Sequence, residues 1–271
     1  MQAEIFEIIS KITTFANFFL SRDMKEAVKN KKCSMRIYLI SIFAIILWGL
    51  SYIWSDQLLD QNIKVEYFVF VRVMSAGIIL LAFNVILGKN ISIHRKDIPK
   101  FLLLSLCEPL IYFICETYGI GFTESPTLSA LIIAATPIIA VCAGMMFFKE
   151  KMGIWNLVGI PVCLGGLAMV TVNSDCIGDK FILGVILLVI AVFAEVGHAS
   201  FTKSLSGKYE PLVIVMYQFL IGAMYLFPLF LTEGLKEFEP SRYLAWSVWK
   251  PILCLAVLCS SIAFSLWVSS I

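Results

Sequence analysis

FILGVILLVIAVFAEVGHASF, residues 181–201, is an apolar run that nevertheless carries a glutamate, Glu195, and a histidine, His198. A helix rises about 1.5 Å per residue, so about 20 mostly apolar residues cross a hydrocarbon core of about 30 Å. Seven more stretches have the same character: 37–54, 67–87, 101–120, 125–148, 154–172, 212–231 and 249–269. Together they predict eight transmembrane helices. Composition agrees, since 60% of the 271 residues are apolar and 15% are charged, against roughly 45–50% and about 25% in soluble domains. A water-soluble fold of this size has more surface than so few charges can cover. A disordered chain, a disulfide-stapled secreted domain and an ordinary cytosolic enzyme are thereby excluded. The expected fold class is an all-α polytopic membrane protein.

Lysine and arginine set the orientation, because cytoplasmic loops are enriched in both. Arg22, Lys25, Lys29, Lys31, Lys32 and Arg36 precede the first span, and Lys89, Arg95, Lys96 and Lys100 lie between spans two and three. Lys149 and Lys151 follow span four, and Lys203 and Lys208 follow span six. The opposite loops hold only Lys64, Lys180, Lys236, Arg242 and Lys250. Fourteen against five places the N-terminus in the cytoplasm and the chain in the cytoplasmic (inner) membrane. Within residues 1–34, Ile5, Ile8, Ile9, Ile12, Phe15 and Phe19 repeat at helical spacing ahead of the basic residues. That segment reads as an amphipathic helix on the anionic leaflet; the alternative is a true start at Met24 or Met35. Six of the eight cysteines lie inside apolar runs and no CxxC spacing occurs, so they read as small hydrophobes rather than a redox or metal framework.

Residues 48–77 overlay residues 194–223 at a constant offset of 146, which sets Ser51 on Gly197, Tyr52 on His198, Arg72 on Gln218 and Ala76 on Gly222. Six extra residues later, Tyr112-Phe113 falls on Phe264-Ser265. Span one thus maps to six, two to seven and three to eight. Five spans per repeat is an odd number, so two copies enter the membrane in opposite directions, the inverted-repeat plan of secondary transporters. The segments read as 1–34, an amphipathic and basic segment; 35–173, a first repeat of five spans; and 181–271, a second repeat represented by three. Eight helices of an expected ten are then accounted for.

Ala44-Ile45-Ile46-Leu47-Trp48-Gly49 with Ser51, Arg72, the run 129–137 (SALIIAATP), Glu150, Gly159 and Gly165-Gly166 resemble, in order and spacing, the EamA family of the drug/metabolite transporter superfamily. The resemblance covers residues 36 to 271. It implies ten helices in two inverted five-helix halves, a central cavity and alternating access, with members moving amino acids, other metabolites or drugs, often outward. The absence of spans nine and ten and the presence of Glu108 in span three depart from the family pattern.

Ionisable groups at membrane depth cost roughly 2.5–3.5 kcal/mol each on insertion scales. Arg72, Glu108, Glu116, Glu195 and His198 all fall there and are candidates for function on that ground. From the helical rise, Arg72 and Glu116 lie about 6–9 Å below the outer surface, which predicts an ion pair or a shared anion-and-amine site; the alternative is that Arg72 snorkels outward. Glu108 and Glu195 share a depth nearer the cytoplasm, and Glu195 and His198, three apart, share a helix face. These three predict either a proton- or amine-binding group, since histidine titrates near neutrality, or a structural polar cluster. Trp48, Tyr52 and Tyr112 are expected to line a cavity, whereas Trp54 and Tyr118 suit an interfacial belt. Ala130, Ala134, Ala140 and Gly144 permit close packing of span four, and Pro137 marks a kink or a gate.

The expected function is secondary transport of small metabolites such as amino acids or drug-like solutes, export being the direction implied by resemblance. No phosphate-binding loop occurs, so no nucleotide drives it. No cofactor, metal or nucleic acid is expected. The expected partners are the lipid bilayer, a small-molecule solute, and a homodimer mate or complementing chain. Two other readings stay open: a shortened product or subunit that needs another chain, and an intramembrane enzyme, for which one membrane-embedded histidine supplies too few metal ligands.

Overall fold

The computed structural model describes residues 31–136, 165, 180–236 and 238–270. The N-terminal amphipathic stripe, most of span four with Pro137, Ala140 and Gly144, and all of span five except Gly165 lie outside the described residues. Every regular element among the described residues is helical. Span one is Lys31–Asp60, span two Val65–Ile86, span six Phe181–Ser206 and span seven Pro211–Leu229, while Pro126–Ile133 begins span four. Span three is two helices, Ile98–Ser105 and Tyr112–Thr123, joined by a wide π-type turn at Leu106–Ile111. Span eight stays helical from Trp246 to Ser270, with Trp246–Cys254 and Phe264–Ser270 joined by a continuous π-type segment, Leu255–Ala263. A further wide turn, Phe230–Gly234, closes span seven.

Six stretches are long and apolar enough to cross a membrane: Leu39–Asp60, Val65–Ile86, Arg95–Thr123, Phe181–Ser206, Pro211–Gly234 and Trp246–Ser269. They coincide with expected spans one, two, three, six, seven and eight. Helix one outruns its expected limits of 37–54 at both ends, because hydropathy stops at charged residues whereas backbone hydrogen bonding does not. The sequence reading took span three as continuous, and this is corrected: Glu108 has φ −145° and ψ 121°, outside the helical region. Pro109 is the cause, since proline offers no N–H and its ring disfavours helical geometry at the residue before it.

The distribution of polarity is inverted relative to a soluble protein. Arg72, Glu108, Glu116, His198 and Gln218 are all buried, whereas Ile86, Met224 and Ile182 are 79%, 73% and 71% exposed. Apolar side chains displayed outward over whole helices are matched by lipid, and ionisable groups gathered inward are sheltered from it. The chain is a multi-pass membrane protein.

Spans two and seven pack along their lengths, span three packs on six, and span one packs on eight; spans two and eight, and three and seven, also touch. Gly222 lets span seven reach the break in span three, for a Cβ there would lie 2.2 Å from the Pro109 Cγ. One end of the bundle is tied by Asp97, which accepts from Lys208 Nζ at 2.9 Å and from the Tyr209 hydroxyl at 3.0 Å. At that end the Tyr217 hydroxyl also donates to the Ile91 carbonyl at 2.8 Å. The other end is held by Tyr67, Phe230, Phe238 and Tyr243, packed ring on ring, and by the Tyr118 hydroxyl donating to Glu66.

Candidate functional site

Phe264, just after the π-type segment of span eight, lies at the centre of the buried polar groups. Its ring centroid is 5.1 Å from Trp48, 5.2 Å from Phe219, 6.0 Å from His198 and 6.1 Å from Phe113. Spans one, three, six, seven and eight therefore converge on one side chain. The small residues that the sequence places beside it make this approach possible. At Gly197 of span six, for example, a Cβ would lie 3.0 Å from the Cys107 sulfur of span three.

On one side of this hub stands Arg72, 2% exposed. Its Nε donates to Ser260 Oγ at 2.7 Å, and its guanidinium carbon lies 4.0 Å from the centre of the Phe113 ring. A guanidinium over an aromatic face keeps electrostatic support after losing water. Among the described residues, only the Nε of this five-donor fork is committed to a hydrogen bond. Arg72 does not snorkel; it points into the protein. Nor does it form the direct ion pair with Glu116 expected from depth. Glu116 instead accepts from the Tyr112 hydroxyl at 2.9 Å, with Tyr52 beside both, and Arg72 acts on it only through its field. Equal depth fixes a side chain's height in the bundle, but helix rotation decides whom it meets.

On the other side, His198 Nδ1 lies 2.9 Å from Glu108 Oε2, both side chains being almost fully buried. His198 Nε2 lies 3.3 Å from both Gln218 Oε1 and Thr202 Oγ1. Glu195, expected in the same cluster, turns to span four, where the Thr136 hydroxyl donates to it at 2.8 Å. The carboxylates of Glu108 and Glu116 and the imidazole of His198 nonetheless act on it electrostatically. Two buried donors near this cluster, Trp48 Nε1 and Gln218 Nε2, have no hydrogen-bond partner among the described residues. Buried donors are nearly always satisfied, so exceptions ask for a partner that comes and goes. Of the interfacial candidates, Tyr118 reaches Glu66, and Trp54 packs on the core.

Ser260, Gln218, Thr136, Thr202 and Phe264 join the site without having been singled out for it. One signal was present. With the six-residue insertion the overlay offset becomes 152, which sets Leu106-Cys107-Glu108 on Leu258-Cys259-Ser260. Under that offset the two Leu-Cys pairs coincide, and the π-type segments Leu106–Ile111 and Leu255–Ala263 overlap.

Among relatives, an uncharacterized transporter of Archaeoglobus fulgidus is 27% identical over 58% of this chain and 54% of its own length. The chain thus aligns with about half of that relative. An uncharacterized transporter of Bacillus subtilis, YetK, is 24% identical over 89% of this chain and 73% of its own. A probable terminal-alkyne amino-acid exporter of Streptantibioticus cattleyicolor is 26% identical over 50% of this chain and 45% of its own. No solved structure is significantly similar. The family match extends over residues 35–172 and 182–271, nearly the whole chain, and by it the protein belongs to the EamA-like transporter family.

Proposed function

We propose that this protein is a secondary transporter that exports small amino-acid-like solutes by alternating access. Its frame would be two inverted repeats, residues 35–173 and 181–271, in a ten-helix plan, with the N-terminus in the cytoplasm of an inner-membrane protein. The packing supports the inverted frame. Exchanging spans one with six, two with seven and three with eight turns the 3–6 contact into 8–1 and the 2–8 contact into 7–3, and returns the 2–7 contact to itself; all are made. The two stretches matched by the family also support the division. Span three is interrupted at Glu108-Pro109, and discontinuous spans are where transporters of this plan bind their solutes.

The observation that carries the solute class is Arg72, buried and, among the described residues, hydrogen-bonded through its Nε alone. A guanidinium fork matches a carboxylate in a bidentate geometry. The indole N–H of Trp48, without a partner among the described residues, offers a further donor, and Glu116 with Tyr52 and Tyr112 offers the oxygens that an ammonium requires. Glu108, Glu195 and His198 complete the polar lining. A solute bearing a carboxylate and an amine on one small body fits this donor and acceptor set.

Counterflow in proteoliposomes tests the reading. Vesicles loaded with each standard L-amino acid or with L-propargylglycine, a terminal-alkyne amino acid, are diluted into a trace of the same labelled compound. Transient accumulation is expected for at least one of these and for none of the matching amines that lack the carboxylate. Equal behaviour of protein-containing and empty vesicles across the panel, or accumulation of the amines as readily as the acids, rejects it.

A further inference from the structure

Three carboxylates, Glu108, Glu116 and Glu195, share one fixed cation, Arg72, and one titratable base, His198. With the Glu195 carboxyl protonated and the imidazole neutral, Glu108 and Glu116 outnumber Arg72 by one negative charge inside a bundle facing lipid. Unbalanced charge is costly there, so the cluster has a place for one more positive unit, whether proton or ammonium. We propose that the Glu108–His198 pair is a proton-binding site that couples solute export to proton entry. This rests on the transport reading and adds the coupling ion to it.

The hydrogen bonds around the imidazole suit a proton that comes and goes. As an imidazolium, His198 donates from Nδ1 to Glu108 at 2.9 Å and from Nε2 to Gln218 Oε1 at 3.3 Å. As a neutral ring it keeps the Nδ1 proton on Glu108, and Nε2 becomes an acceptor. The Thr202 hydroxyl, 3.3 Å away, can then rotate to donate. The Gln218 amide can also turn over and present its uncommitted Nε2. Neither protonation state strands a ring nitrogen, so neither carries the cost of an unmade buried hydrogen bond.

Other groups face the pair from each packed element. Glu195 lies on its own helix, with the Thr136 hydroxyl of span four on its carboxylate. Span three contributes Cys107, Tyr112 and Glu116, and span one contributes Tyr52. Span seven contributes the neutral Gln218 and span eight the Phe264 ring. Arg72 stands behind Glu116. In each cycle one proton arrives from outside, is held as an N–H of the His198 imidazolium on Glu108, and leaves to the cytoplasm. The ammonium of the outgoing solute takes its place in the charge balance. No other bond is made or broken.

Two readouts decide this. The first uses L-propargylglycine in proteoliposomes with an imposed pH gradient. At one proton per solute, wild-type protein should accumulate about tenfold per pH unit, and Glu108→Gln and His198→Gln should accumulate about onefold. Wild-type accumulation indifferent to the gradient, with solute exchange intact, overturns the coupling and leaves transport standing. The second needs no transport: nitrogen NMR of the imidazole in His94→Ala protein, which removes the other histidine. His198 should pass from doubly to singly protonated between about pH 5 and 9, with its midpoint displaced in Glu108→Gln. One unchanging state across that range overturns the proposal even if no solute is exchanged. Absence of exchange in wild-type vesicles, with a titrating His198, counts against the transport reading and not against the proton site.

Discussion

Under the proposed repeat, the π-type segments of spans three and eight overlap but carry opposite chemistry. At Leu106–Ile111 an acid, Glu108, faces His198, an imidazole, the side-chain type whose unperturbed titration falls near neutral pH. At Leu255–Ala263 a neutral hydroxyl, Ser260, faces Arg72, whose charge does not change. On the proposal made above, the Glu108–His198 centre is switchable and the Arg72 centre is fixed. A fixed guanidinium is suited to holding an anionic group at every stage of a cycle, and a switchable pair to exchanging charge during it.

The sharpest way to break this contrast is to remove the fixed charge. Arg72→Ala should lower solute flux at least about thirtyfold, as truncating one partner of a buried charge interaction costs about 2–5 kcal/mol. Initial rates in vesicles, normalised to folded protein, check it. Ser260→Ala leaves the guanidinium but frees its Nε, with an expected loss of about 1.5–3 kcal/mol in protein stability. Thermal unfolding in detergent reads that loss, and an unchanged midpoint contradicts the importance given to this hydrogen bond. Gly222→Leu forces span seven away from Pro109, with overpacking worth about 1–3 kcal/mol. The damage should appear at the Glu108–His198 side and leave Arg72 in place, so the same unfolding assay should show additivity with Ser260→Ala. The smallest effect is expected from Lys208→Ala at the tied end of the bundle. Its ammonium is half exposed, so less than about 1 kcal/mol is at stake.

Much of the frame was legible in the sequence because crossing a bilayer demands long apolar runs, and six of those expected appear where hydropathy put them. The set of buried ionisable residues was legible for the same reason. Their partners were not. Depth is one coordinate, and Arg72 and Glu116 share it without touching, because helix rotation turns one to Ser260 and the other to Tyr112. Glu108 is re-aimed by the break at Pro109, which a hydropathy window passes over. That re-aiming brings it to His198 while Glu195, on the same helix face as the histidine, goes to Thr136. The Leu-Cys pairs at 106–107 and 258–259 were the readable clue to the overlapping π-type segments. Phe264 was marked only by the overlay that sets it on Tyr112, since a phenylalanine in an apolar run is indistinguishable by composition from its neighbours.

The most direct test of the fixed centre as the solute anchor is ligand-dependent thermal stabilisation of purified wild-type and Arg72→Ala protein, using the amino-acid panel with L-propargylglycine. A ligand that binds only the folded state raises its stability by about 2.7 kcal/mol at a hundred times the dissociation constant. Wild-type protein should be stabilised in a concentration-dependent way by at least one compound that leaves Arg72→Ala unmoved. Equal stabilisation of the two proteins by that compound would contradict the anchoring role of Arg72.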